Sequence, residues 1–152
     1  MSLYEREINQ EALKEIQTNI QKKSPYPEKV IIIAVTKNLS FKTIEQATNN
    51  KINHIGENKI QELKEKTTNK EKPKNLKIHF IGHLQTNKAK KAIELCDYIQ
   101  SVDSTRLAKT INKQAKKLSK IQKIYLQINI GKDSNKQGFH TKDLAAECQE
   151  IL

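Results

Sequence analysis

The amino-acid sequence predicts an α/β fold on a parallel sheet, and three observations carry that prediction. Strand-length apolar runs alternate with helix-length amphipathic stretches five times along the chain, the order that crossovers between parallel strands require. The first run, residues 30–37 (VIIIAVTK), is β-branched almost throughout, as strands covered on both faces are. The fifth, residues 124–130, alternates strictly, with Ile124, Leu126, Ile128 and Ile130 on one side and Tyr125, Gln127 and Asn129 on the other. Such a chain can form an open doubly wound sheet or part of a (β/α)8 barrel. The fifth run suits the barrel, whose outer helices would cover the four aliphatics while its interior takes the polar side.

The elements follow in order. Ile8, Ala12, Leu13, Ile16 and Ile20 recur at helical spacing, giving an amphipathic helix of about five turns that ends before Ser24-Pro25. After the first strand, Ser40 is placed to cap a helix carrying Ile44 and Ala47, which stops at Asn49-Asn50. A second strand over 52–55 runs into Gly56-Glu57-Asn58, and Ile60 and Leu63 open a charged helix that ends in a lysine-rich loop at Pro73. The third strand covers 76–81, followed by Gly82-His83-Leu84-Gln85 and a helix through Lys90, Ile93 and Leu95. The fourth strand is 98–102. Asp103 or Ser104 caps the next helix, on which Leu107, Ile111, Ala115 and Leu118 share a face. After the fifth strand comes a polar loop over 131–138, and 142–152 reads as a helix.

A length of 152 residues supports one domain with a real core. No apolar run approaches a membrane span, and the first ten residues, MSLYEREINQ, lack the apolar centre of a signal peptide, so a cytoplasmic protein is expected. Cys96 and Cys148 have no CxxC spacing and read as buried free thiols. The net charge of +11 raises the question of nucleic acid. The lysines, however, are spread along the chain, interleaved with glutamates over 61–74 and lying on the presumed solvent face of 109–120. The few aromatics do not alternate with them as a stacking platform requires, so no dedicated nucleic-acid partner is expected. Leu144, Cys148, Ile151 and Leu152 are still building an apolar face where the sequence stops, and a barrel takes about 250 residues. The expectation is a single partial domain over 1–152 with about five of eight strand-helix units, its edge strands open to self-association.

Lys37 is the chemically unusual residue. A lysine at the carboxyl end of a buried strand either reaches solvent or sits in a site, and an activated lysine amine is the group that forms Schiff bases. Other polar groups collect at the strand ends: Glu57 and Asn58, His83 and Gln85, Ser101 and Asp103, Asn129 and Lys136. In a parallel barrel these ends converge on one mouth. His79 and His83 have i,i+4 spacing but straddle a strand and the turn after it, where that spacing does not converge on a metal. There is no GxSxG, P-loop or GxGxxG.

AVTK (34–37), HIGENKIQE (54–62), IHFIGHLQTNK (78–88), SVDS (101–104) and LQINIGKDSNKQGF (126–139), in this order and at successive strand ends, resemble the signatures of the pyridoxal phosphate homeostasis protein family. The resemblance implies a barrel like the amino-terminal domain of alanine racemase. It implies that pyridoxal 5'-phosphate is bound as an aldimine on Lys37, with Asn58 lining the pocket and Lys136 at its mouth. It further implies a cofactor carrier or buffer without a catalytic activity of its own. A racemase-like pyridoxal phosphate enzyme is the alternative, and a basic nucleic-acid-binding module a more distant one. The family's phosphate-holding loops lie in later strand-helix units that this sequence lacks, so weakened cofactor binding is expected.

Overall fold

The computed structural model describes residues 4–131, 133 and 137–151. Five strands form one sheet in the order β1-β2-β3-β4-β5, every neighbouring pair parallel: β1 (Ala34–Val35), β2 (His54–Glu57), β3 (Lys77–Phe80), β4 (Tyr98–Val102) and β5 (Lys123–Leu126). Between them run α2 (Phe41–Asn49), α3 (Ile60–Thr67), α4 (Ala89–Leu95) and α5 (Thr105–Lys117), with α1 (Gln10–Lys23) before the sheet and α6 (Leu144–Ile151) after it. Strand order that never reverses, with crossovers of one hand, keeps the connecting helices on one face, which is the geometry of a barrel wall rather than of a doubly wound sheet. The fold is therefore a partial (β/α)8-type barrel.

The core lies between helices and sheet. Ile44, Leu63, Ile93 and Leu107 come down from α2 to α5 onto Ile55, Ile78, Phe80, Ile99 and Val102, all buried. A smaller cluster joins Leu13 of α1 to Ala47 and Ile52, with Ile32 and Ala34 against it. Side chains of opposite parity line the concave face. There His79 stacks on Tyr98 with ring centroids 4.4 Å apart and planes 2° from parallel, and Tyr125 stands 6.3 Å from Tyr98. His54 Nδ1 lies 2.8 Å from His79 Nε2, and Gln100 Nε2 lies 3.0 Å from His79 Nδ1.

Several expectations are corrected. The first run is a strand only over Ala34–Val35, and it is not covered on both faces: Val30, Ile31 and Val35 are exposed. Register explains this. Ala34 pairs with Ile55, and β2 starts only at His54, so no strand among the described residues pairs with residues 30–33. β2 lies two residues later than the expected 52–55, so that it takes in Gly56 and Glu57. The fifth run breaks after Leu126. Ile124 and Leu126 pack on the core, whereas β6 (Ile128–Asn129) leaves the main sheet to pair in parallel with β7 (Phe139–His140). Ile128 and Ile130 are consequently exposed, and Asn129 is buried, donating to the Asp133 carbonyl. Tyr125 does face the concave side.

Of the capping residues, Ser104 accepts from Leu107 N–H, whereas Ser40 stands at the N-cap without a side-chain bond. Cys96 and Cys148 are free, but only Cys96 is buried. Lys120, expected on the solvent face, instead points its ammonium at the carbonyls of Ile93 and Cys96, satisfying the last turn of α4. Among the described residues, no helix is long and apolar enough to cross a membrane.

Candidate functional site

The carboxyl ends of β1 and β2 are joined by buried charges. The Thr36 hydroxyl donates to Glu57 Oε1 at 2.6 Å, and Lys66, reaching back from α3, donates to the same oxygen at 2.7 Å and to the Thr36 carbonyl at 2.8 Å. Lys66 also contacts Glu62 Oε1 at 3.2 Å, and Glu62 accepts the Asn38 N–H at 2.5 Å. The side chains of Lys66 and Glu57 are fully buried. Burial raises the Glu57 pKa, against the hydrogen bonds from Lys66 and Thr36, which lower it.

Lys37 stands between two residues that this cluster holds. Thr36 before it is tied through hydroxyl and carbonyl, and Asn38 after it through its N–H, while Leu39 N–H closes the turn on the Thr36 carbonyl at 3.1 Å. The turn needs a left-handed residue, and Asn38 supplies it at φ 61°. Lys37 itself is exposed and continues the concave-face parity of Ile33 and Val35.

Asn58 occupies the matching place on the next strand. Val35 pairs with Gly56 and Thr36 bonds to Glu57, so Lys37 and Asn58 are equivalent positions just past the ends of adjacent strands. Gly82 fixes Asn58 from the far side, since a Cβ on Gly82 would lie 2.2 Å from the Asn58 carbonyl oxygen. The Ser101 hydroxyl in turn donates to the Gly82 carbonyl. Asn58 Oδ1 is buried without a hydrogen-bond partner among the described residues. The expected strand-end residues thus divide. Lys37 and Asn58 stand together, Glu57 and Ser101 support them from behind, and His83 pairs with Asp103 across β3 and β4 at 3.2 Å. Lys136 lies outside the described residues.

The sequence reading missed Lys66 and Glu62, which it placed within a solvated alternation of charges. A signal was present: Lys66 follows Leu63 by three residues and Leu63 follows Ile60 by three, so the lysine shares the helix's apolar stripe.

A parallel barrel wall with one helical face, carrying a held lysine turn at the carboxyl ends of its strands, defines an α/β-barrel protein of the kind whose site lies at that mouth. The family model described as alanine racemase, N-terminal domain, matches residues 8–152, and the chain belongs to that family. It is 37% identical over 123 residues to the pyridoxal phosphate homeostasis protein of Buchnera aphidicola subsp. Schizaphis graminum, covering 80% of this chain and 54% of that protein. It is 34% identical over 125 residues to the protein of the same name from Synechocystis, covering 82% and 57%. The chain therefore spans about half the length of these curated relatives. Among solved structures, PipY of Synechococcus elongatus without PLP superposes with a TM-score of 0.79 at 36% identity, over 90% of this chain and 63% of PipY. The PLP-bound form of PipY superposes at 0.75. Alanine racemase of Clostridium difficile, 21% identical with a TM-score of 0.68, shares the fold.

Proposed function

We propose that this chain holds pyridoxal 5'-phosphate on Lys37, with Asn58 beside it and Lys136 as a second amine at the mouth, and that it serves pyridoxal phosphate homeostasis as a carrier and not as an enzyme. The observation that carries this reading is the lysine turn itself: Lys37 is the exposed residue between two neighbours that the buried Glu57–Lys66–Glu62 cluster fixes. Relatives named for pyridoxal phosphate homeostasis and a PLP-bound PipY support it.

The residues present fit the aldehyde end of the cofactor. Lys37 offers a primary amine, and Asn58 brings a buried side-chain amide oxygen that has no hydrogen-bond donor among the described residues. When bound, the cofactor supplies an aldehyde that condenses reversibly with an amine and releases water. The chain's part is to keep that amine in place: Glu57, Lys66 and Glu62 hold the turn, and Gly82 and Ser101 hold the Asn58 backbone beside it. Racemisation would need a second positioned acid or base to move a proton at the α-carbon of an amino-acid substrate, and a carrier has no use for one.

The test is to mix the chain with pyridoxal phosphate, remove the excess, record the visible spectrum, reduce with borohydride and map the modified peptide. A single adduct on Lys37, lost in Lys37→Ala, is the expected result. Adducts scattered over many surface lysines, or an unchanged spectrum in Lys37→Ala, overturn the assignment.

A further inference from the structure

Two of the signature segments, GENKIQ and GHLQTNK, meet in a groove that begins at Asn58 and does not include Lys37. Between the first turns of α3 and the connection leading into α4 lies a groove of about 660 Å³, within the size range of small-molecule sites. Its floor is apolar, with Ile60, Phe80 and Leu84 all buried. Its walls are cationic: Lys59 and Lys64 come from the α3 side, Lys88, Lys90 and Lys91 from the α4 side. Among the described residues Glu94 is the one carboxylate lining it, and Lys91 already engages that carboxylate at 2.8 Å. Asn58 stands at one end, so the groove opens on the same carboxyl-terminal side of the sheet as the Lys37 turn.

Charge alone does not single out this place, because the chain carries +11 throughout. Concavity does. The low-dielectric floor beneath concentrates the field of the lysines along the walls, so a multivalent anion seated there can be met by several ammonium groups at once, Lys91 being already engaged by Glu94. Lys116 and Lys117 near the end of α5, by contrast, are exposed and stand outside this groove, whereas the α5 cavity lined by Arg106, Lys109 and Lys113 also carries the carboxylates of Glu147 and Glu150. A groove of this size, open on one side, suits a compact ligand better than an extended polymer.

We propose that this groove is a second binding site, separate from Lys37, for a small phosphorylated metabolite, with the phosphates on the lysine walls and an apolar portion over Ile60 and Leu84. The proposal does not depend on the cofactor reading of Lys37.

The probes are inorganic pyrophosphate, ADP, adenosine and a single-stranded RNA oligonucleotide, each titrated into the full chain with amide chemical shifts as readout. Pyrophosphate and ADP are expected to move the amides of residues 58–64 and 84–91, with adenosine much weaker. Lys64→Ala/Lys88→Ala should weaken ADP about tenfold or more, whereas Lys116→Ala/Lys117→Ala on α5, an equal loss of charge, should change it by less than about twofold. Lys37→Ala should bind ADP as the parent does, so that failure here and failure of the cofactor reading remain distinguishable. Equal weakening in both lysine pairs, shifts scattered over the surface, no binding, or RNA preferred over ADP in the groove would each overturn the proposal.

Discussion

Lys66 Nζ lies 2.7 Å from Glu57 Oε1 and 2.8 Å from the Thr36 carbonyl, with both charged side chains wholly buried. An ion pair so placed gains from low dielectric but costs desolvation, so its removal is informative mainly when one partner is left behind. The pair also ties α3 to the strand end that carries Lys37. Stability and site geometry therefore depend on the same contacts.

Lys66→Met strands the Glu57 carboxylate, and urea unfolding should show a loss of about 3–5 kcal/mol. Glu57→Gln/Lys66→Met, which removes both charges, should recover more than half of that. A single variant costing under about 1 kcal/mol would mean that Glu57 is not held as a buried anion.

Gly82→Ala puts a methyl group where the Asn58 carbonyl already stands, and both sides of the contact are backbone, so neither can swing away. The expected cost is about 2 kcal/mol or more, read by thermal unfolding, together with weaker retention of pyridoxal phosphate. Wild-type stability in this variant would show that the Asn58 backbone is freer than the contact implies.

The concave-face histidines make stability depend on pH. Gln100 donates to His79 Nδ1, so the His79 proton sits on Nε2 and is donated to His54 Nδ1, an arrangement that needs both rings neutral. Burial lowers the His79 pKa to about 4 and also lowers that of His54, where the charge of Lys77 adds to the effect. Because the folded pKa lies below the unfolded value, the unfolded chain takes up protons first. Stability should be full above about pH 6.5 and fall as the pH drops toward 4, by up to about 3 kcal/mol for His79 alone. Unfolding midpoints across that range check the slope, which His79→Gln should flatten.

The two thiols should differ in reactivity. Burial pushes the Cys96 thiol up to about 12, whereas Cys148 on α6 is half-buried. An aromatic disulfide reagent at pH 8 should label Cys148 on the native chain and reach Cys96 only after denaturant is added. Fast labelling of both would mean that the α4–β4 corner opens readily.

The sequence by itself determined the order of elements, the parallel sheet and the strand ends where polar groups collect, because those follow from hydrophobic period and punctuation within short windows. β4 is as read, residue for residue. Lys37 and Asn58 were legible as candidates because each ends a strand-like run. What only the tertiary structure decided depends on neighbours distant in the chain. Residues 30–33 look like a buried strand until the register of β1 on β2 leaves them without a partner. Ile128 and Ile130 alternate like core residues until β6 pairs with β7 and turns them out. Lys66 reads as one of many surface lysines until α3 lies over β1 and β2 and brings its ammonium to Thr36 and Glu57, which are 30 and 9 residues away in sequence. Local pattern specifies which residues can be strand or helix, but a lysine's burial is settled by what packs above it and by whether a carboxylate waits there to offset the loss of water.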